Sequence, residues 1–519
     1  MDPVATTLVI LGLAIVAFMS ARVPLGIIAI GVSLSLWGTG LLDLNQALAG
    51  FGDPTVLFIA SLFVVSEALD ATGVTAWAGQ QVISRGGTKR TRLLVVVCLL
   101  VAGLTALISV NGAVASLIPV VVVVATRAGL PPSQMLMPLA FSAHAGSMLA
   151  LTGTPVNIIV SEAAVDAGAR PFGFFEYGLV GLPLLTGTLL IITVLGQRLL
   201  PNRAPSALPQ DVGEYARTLR RQYALPEGTS LIEARTGVTE VVVTPRSSLI
   251  GLHLFPGMCT PSGDLVVLGV QRAGEDLTGP DALLRSGDVL LLRGTWEHLE
   301  AHTAGPEVLV VDRPGDLRRA VPLGIGAKRA LATLAGMVLL LATGLVPAAV
   351  AGLLAAGALV LTGVLTPTQA YRSISWTTVV LVGGMIPLST AFNSTGTADV
   401  IAAGLLALVG NASPYLALLA MCVITMVLGQ LISNTATVLI MVPIATVIAA
   451  DLSVSVLPFM MALTVSGAAS FLTPVATPAN TMVMDPGGYR FADYWKLGLP
   501  LLAFFLVVAL VYVPLIWPF

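Results

Sequence analysis

Charge is scarce in this 519-residue sequence. Asp, Glu, Lys and Arg make up 10% of it, against about a quarter of a soluble domain, while 56% is hydrophobic. That balance excludes a water-soluble globular enzyme and leaves a polytopic helical membrane protein. About half of the charges fall between residues 201 and 330, so the rest of the chain is poorer still. The net charge of -2 says nothing about a partner, and the lack of a basic face to neutralise phosphates argues against nucleic acid. Cys98, Cys259 and Cys422 are odd in number and far apart, and the four histidines are scattered, so neither a disulfide framework nor a metal spacing is present. The N-terminal run 4–19 lacks a charged n-region and a cleavage site, and reads as a first membrane helix rather than a signal peptide.

What the sequence does have is a second copy of itself. At an offset of 323 positions Pro24 meets Pro347, Gln46-Ala47 meets Gln369-Ala370, and Thr72-Gly73 meets Thr395-Gly396. Asn111 meets Asn434, and Thr154-Pro155-Val156-Asn157 meets Thr477-Pro478-Ala479-Asn480. Chance similarity between two Ala/Leu/Val-rich halves predicts matches among apolar residues, not among Pro, Gly, Gln and Asn. Pro119 meets Pro443 at an offset of 324, so the register after Asn111 is the least secure. The expected architecture is an all-α membrane protein of two repeats, residues 1–200 and 328–519, around an inserted soluble α+β domain at 201–327.

Apolar runs predict helices over 4–20, 24–41, 54–83, 93–109, 113–128, 132–151 and 175–199. The second half repeats them over 329–344, 347–364, 376–407, 415–432, 436–450, 455–473 and 498–517. The pairs 93–109 with 113–128 and 415–432 with 436–450 are short and joined by Asn motifs with no loop, which predicts re-entrant hairpins; the rival is a continuous pair crossing the membrane. The stretch Ser84 to Arg92 carries four basic residues and its counterpart Ala407 to Tyr415 none. By the positive-inside rule the two face opposite sides, so the repeats are inverted, with about five spans and one hairpin each. The insert then lies in the cytoplasm and both termini outside the cell (inner) membrane.

Within the insert, strands are predicted at 238–244, 265–271 and 288–293, with short helices near 248–254 and 295–302. Pro245-Arg-Ser-Ser-Leu-Ile-Gly251 and Leu284-Arg-Ser-Gly-Asp-Val-Leu-Leu-Leu292 resemble the C-terminal subdomain of RCK potassium-conductance regulators, over about 236–303. The resemblance implies a regulatory, often dimeric module that binds a small-molecule effector, a nucleotide among the possibilities. A spacer with no ligand is the plainer alternative, and no phosphate-cradling Gly loop is evident.

Four polar breaks are expected to converge at the bilayer middle: the tips at Asn111 and Ser433-Asn434-Thr435, and the loops 153–157 and 476–480. Pro in each loop stops the helix and frees carbonyls for a cation. Helices starting after Gly112 and after Thr435 aim positive dipole ends at the same space. No Lys or Arg lies in any break. An anion would therefore be held by dipoles, hydroxyls, amides and co-bound cations. His144 reads as packing or interhelical bonding, with proton handling the alternative. Glu67 and Asp70 read as interfacial, and Glu162 and Asp485 as snorkelling or capping groups.

The tip tripeptide, the Thr-Pro-x-Asn loops and the inverted repeat resemble the divalent anion/sodium symporter family of the ion-transporter superfamily. That resemblance implies a homodimeric elevator transporter, not an enzyme, carrying sulfate or di- and tricarboxylates with sodium and no organic cofactor. It assigns substrate contacts to Asn111, Thr154, Pro155, Ser433, Asn434, Thr435, Thr477 and Pro478. It assigns sodium to Asn111 with Gly153 and to Asn434 with Ala476. Val110-Asn111-Gly112 departs from the family, where a second Ser-Asn-Thr is usual; the loss of hydroxyls favours a compact oxyanion and puts the first sodium pocket in question. The competing functions are a cation/proton antiporter of the same superfamily, which would carry midplane carboxylates, and a ligand-gated channel regulated by the RCK-like domain, which would need a carbonyl-lined filter.

Overall fold

The computed structural model describes residues 2–20, 22–75, 77–78, 89–203, 212–226, 231–233, 236–277, 283–311, 314, 317, 324, 326–409 and 413–519. The chain forms two compact units, one of Met1–Glu67, Val82–Leu208 and Leu331–Phe519, the other of Ala68–Gln81 and Pro209–Ala330. Seven helices among the described residues are long and apolar enough to cross a membrane, and five further apolar helices are shorter.

The first unit holds most of both halves of the sequence repeat, Ala68–Gln81 falling in the second, and local chemistry explains why the same residues recur. Pro24 and Pro347 precede the helices Leu25–Gly38 and Ala348–Leu361. Next in each half comes a capping box: Asp43 with Gln46, and Thr366 with Gln369, in which side chain and backbone satisfy each other's free groups. Helix Trp376–Thr395 closes on Gly396 at φ 72°, a left-handed cap that only glycine adopts without strain. It packs on Leu25–Gly38, where a Cβ on Gly384 would lie 2.8 Å from the Ala29 backbone and Ser33 donates to the Gly384 carbonyl at 2.9 Å.

The hairpins are Arg90–Leu107 with Val110–Arg127, and Pro414–Leu428 with Asn434–Asp451. Their breaks therefore come earlier than expected. Asn111 and Asn434-Thr435 sit in the first turn of each returning helix, because Ser109 and Ser433 cap those helices. The expected helix over 132–151 is interrupted. A 3-10 turn at Pro132–Gln134 precedes helix Leu136–Gly146, and a second turn at Leu151–Gly153 leads into Pro155–Asp166. In the second half, Leu457–Ala468 is followed by an irregular loop and the short helix Pro478–Met484. Helix 54–83 is described as Pro54–Ala71, and 376–407 breaks at Gly396 into Trp376–Thr395 and Thr397–Val409. Residues 84–88 and 410–412, on which part of the charge comparison rests, lie outside the described residues.

The second unit carries a five-stranded antiparallel sheet: β1 Thr236–Val243, β2 Val266–Arg272, β3 Glu275–Asp276, β4 Val289–Thr295 and β5 Val308–Val310, in the order β3-β2-β4-β1-β5. Three strands and the helix Trp296–Thr303 match expectation. Residues 248–251 form a turn instead of a helix, ending at Gly251 with φ 85°, and His253 bridges Leu283. Helix Val212–Gln222, β3 and β5 were not anticipated. The Arg272 guanidinium meets the buried Asp288 carboxylate at 2.7 Å through both Nε and Nη2. Burial alone would raise the Asp288 carboxyl; Arg272 and the Arg285 amide outweigh it and hold it below its ordinary value.

Candidate functional site

Each hairpin returns beside a loop, and the two loops are built alike. In the first, the Asn157 amide donates to the carbonyls of Ser147 and Ala150, both at 2.9 Å. In the second, Asn480 donates to Ser470 at 2.8 Å and Thr473 at 3.1 Å. All three partners are related by 323 positions. A Tyr then grips the backbone of each Asn: Tyr177 Oη donates to Asn157 O and Tyr494 Oη to Asn480 O, each at 2.6 Å. Four residues after each Tyr comes a glycine pressed on the loop. A Cβ on Gly181 would lie 2.2 Å from Met148 O, and one on Gly498 would lie 2.3 Å from Phe471 O. These clamps satisfy carbonyls that irregular backbone would otherwise leave open in an apolar setting. The Tyr-Gly buttress recurs at a different spacing, 317 positions, and so escapes a comparison at one offset.

The tips show a register different from the expected one. Ser109 Oγ accepts from Gly112 N at 3.2 Å, and Ser433 Oγ accepts from Ala436 N at 3.3 Å. The caps are 324 positions apart, as are Pro119 and Pro443, and as are Cys98 beside Ser142 and Cys422 beside Ser466. Ser109-Val110-Asn111 therefore stands where Ser433-Asn434-Thr435 stands. Val110, not Asn111, is the counterpart of Asn434, and Asn111 takes the place of Thr435. The missing hydroxyl is not at position 110: Ser109 supplies it. Sequence comparison missed Ser109, although the Pro and Cys pairs at 324 carried the signal.

The second tip is bound to its loop. Ser470 Oγ donates to Asn434 Oδ1, and the Gln430 amide bridges Met426 O, Ala469 O and Leu472 N at 2.9–3.0 Å. The first tip is held more lightly, by Thr152 Oγ1 on Ala106 O at 2.9 Å, and Asn111 is exposed. Beside it lies a small cavity of about 20 Å³ lined by Ile59, Leu62, Phe63, Leu107, Ile108, Ser109, Thr152, Gly153 and Pro155. It brings together Gly153, Pro155 and Ser109 of the first tip, but not Asn111. Thr154 and Thr477 are the N-caps of the loop helices, accepting from Val156 N at 3.4 Å and Asn480 N at 3.3 Å. His144 is buried, and its Nε2 lies 3.2 Å from Thr477 Oγ1, which ties the first repeat to the second loop. The Oδ1 atoms of Asn157 and Asn480 are buried without a hydrogen-bond partner.

The profile of a citrate transporter family matches residues 15–465 and, separately, 403–519. The chain belongs to the citrate transporter family. It is a membrane transporter and not an enzyme, related to the divalent anion/sodium symporters by superfamily. This family member is 29% identical to the uncharacterized transporter YfbS of Escherichia coli, over 98% of each chain. It is 26% identical to the uncharacterized transporter sll0640 of Synechocystis, over 98% of this chain and 97% of the relative. Sodium/sulfate cotransporter 1 of Chlamydomonas reinhardtii is 26% identical over 55% of this chain and 30% of that protein. The crystal structure of the Alcanivorax borkumensis YdaH transporter has the same fold at a TM-score of 0.51 and 16% identity, covering 93% of this chain and 90% of that one.

Proposed function

We propose that this transporter moves a small di-anion, sulfate ahead of a di- or tricarboxylate, coupled to sodium through an elevator-type alternating-access cycle. The observation that carries the reading is the pair of clamped, uncharged loops, each ending in a buried Asn oxygen that no donor serves. Neutral oxygens of that kind suit sodium, and the absence of Lys and Arg from the breaks leaves helix ends, hydroxyls and the co-bound cation to hold the anion. Ser109, Thr154, Pro155, Ser433, Asn434, Thr435, Thr477 and Pro478 form the anion site, with Asn111 at its edge. Asn434 with Ala476, and Gly153 with Ser109, hold the sodium ions. Placing sodium in the first half on Ser109 rather than Asn111 follows from the cap register. Partial similarity to sodium/sulfate cotransporters supports both solute and ion.

The repeats are inverted in the membrane, the termini external and the insert cytoplasmic. The protein works as a homodimer, and the RCK-like sheet domain binds a small effector. The test is uptake of labelled sulfate, succinate and citrate into proteoliposomes with and without an inward sodium gradient. Sodium-driven, saturable sulfate uptake is expected, abolished in Asn434→Ala while the variant still purifies as a folded protein. Uptake indifferent to sodium, or wild-type transport by Asn434→Ala, refutes the assignment.

A further inference from the structure

The tail that follows the last helix of each repeat lands on the other repeat, and the two landings differ in one charge. Each clamp Tyr is preceded by a carboxylate, Glu176 before Tyr177 and Asp493 before Tyr494, 317 positions apart like the Tyr pair. The Gly173 amide donates to Glu176 Oε2, and the Arg490 amide to Asp493 Oδ2, both at 2.8 Å. Under each Tyr packs a second ring at the same spacing, Phe172 at 5.5 Å and Tyr489 at 5.9 Å between centroids. Trp517, just past the end of the second repeat's last helix, donates to Glu176 Oε1 at 2.8 Å. Arg203, just past the first repeat's last helix Gly178–Leu199, donates to Asp493 Oδ2 at 2.7 Å.

The difference lies in where the neutralising arginine comes from. Glu176 has one in its own loop: Arg170 meets both carboxylate oxygens, at 2.6 and 2.7 Å. Asp493 is buried, and its arginine is the tail residue Arg203; the Lys496 Nζ stands 3.9 Å off. The tail is fastened along its length. Arg203 Nη1 also donates to Gly488 O, and Arg203 N to Ser133 Oγ, both at 3.0 Å. Ser133 Oγ donates to Pro201 O at 2.8 Å, and Gln134 Nε2 donates to Leu200 O and Pro201 O at 3.2 Å. Tyr489 Oη closes the arrangement, donating to Ser133 O and accepting from Met137 N. From there contact is continuous to the site: Tyr489 packs on Tyr494, whose hydroxyl holds Asn480 O, the clamp of the second loop. Past Arg203 the chain runs into the second unit, which resumes at Pro209.

We propose that Leu200–Arg203 is a strap whose seating holds the second loop in shape, so that this half of the site, unlike the first, depends on the chain leading into the insert. A buried carboxylate that loses its arginine must reach water. Asp493 adjoins Tyr494, so its movement draws that Tyr off Asn480. Arg203 is thus a positioning residue, and displacement of the strap lowers anion affinity. The affinity part rests on the anion-transport reading above; the mechanical part does not.

The test is backbone hydrogen–deuterium exchange of the full-length protein in lipid nanodiscs, paired with sulfate uptake in proteoliposomes. Arg203→Ala should speed exchange across 468–482 about threefold or more and leave 147–157 as in wild type. Arg203→Lys, which keeps the charge without the fork, should fall between, and serves alone if Arg203→Ala does not fold. Arg170→Gln should leave 468–482 unchanged. Sulfate KM should rise about fivefold in Arg203→Ala with kcat largely kept. Faster exchange confined to 130–137 and 486–496 would make the strap a local anchor and overturn the proposal, as would equal acceleration of both loops. Exchange as expected in a protein that transports none of the three anions leaves the strap standing and overturns the transport reading instead.

Discussion

Replacing Asn480 by Leu tests the loop architecture most directly. The side chain is fully buried, and its NH₂ is the donor for Ser470 O and Thr473 O at 2.8 and 3.1 Å. Leu keeps the approximate volume but has no donor and leaves no room for water. One buried carbonyl, Ser470 O, and one part-buried carbonyl, Thr473 O, lose their partner, so the variant should be destabilised by about 1–4 kcal/mol. The Tyr494 bond at 2.6 Å is to the main-chain oxygen and survives, so the loop is loosened rather than released. Thermal unfolding of the purified protein in detergent, followed by tryptophan fluorescence, should show a fall of several degrees. Sodium-driven uptake should be lost, because Ser470, one end of the clamp, also holds Asn434. Asn157→Leu should fall by a similar amount, since its bonds are the same two at 2.9 Å. Unfolding temperatures within a degree of wild type for both variants would show that these amides do not hold the loops.

Gly181→Ala and Gly498→Ala each place a methyl group within 2.3 Å of a loop carbonyl oxygen, so the last helix of either repeat must retreat; uptake should drop at least tenfold in both, and normal uptake kinetics would refute the buttress. In the insert, Asp288 is held below its ordinary value by Arg272 and the Arg285 amide, so its contribution to stability is present above the unfolded-state pKa of about 3.9 and is lost as pH falls through the lower folded value. Limited proteolysis of the full-length protein should therefore show the insert unchanged from pH 8 to 5 and increasingly cleaved below about pH 4, whereas Asp288→Asn should be more readily cleaved at pH 7 and less dependent on acid.

Much of the fold was legible because the repeated residues each do a local job. Gln46 and Gln369 recur as the closing members of capping boxes, Gly396 as a left-handed cap, and Asn157 and Asn480 as loop clamps. Such positions tolerate few residue types, so they stand out against an apolar background that tolerates many. The tip register was misread for the converse reason. Aligning Asn111 with Asn434 pairs two identical residues, whereas the structure aligns two Ser caps and sets a Val opposite an Asn. Identity of side chain was a poorer guide than identity of backbone role. The Tyr-Gly buttress was hidden by a six-residue change in spacing, and the cross-repeat bond of His144 by the lack of any local pattern.

The asymmetry between the halves bears on how one site could serve two solutes. The second tip is tied to its loop through Gln430, Ser470 and Asn434, and the loop's Thr477 lies 3.2 Å from His144 Nε2. The first tip has a Val where the second has that Asn, an exposed Asn111 and an adjoining cavity. A rigid half favours a solute with fixed geometry, since its donors are ordered before binding; a looser half suits an ion or a second substituent of variable size. If that division holds, Val110→Asn, which restores to the first tip the amide that Asn434 supplies in the second, should lower the sodium concentration for half-maximal uptake about tenfold while leaving sulfate KM at saturating sodium within twofold. A change in sulfate KM with unaltered sodium dependence would reverse the assignment of the two halves.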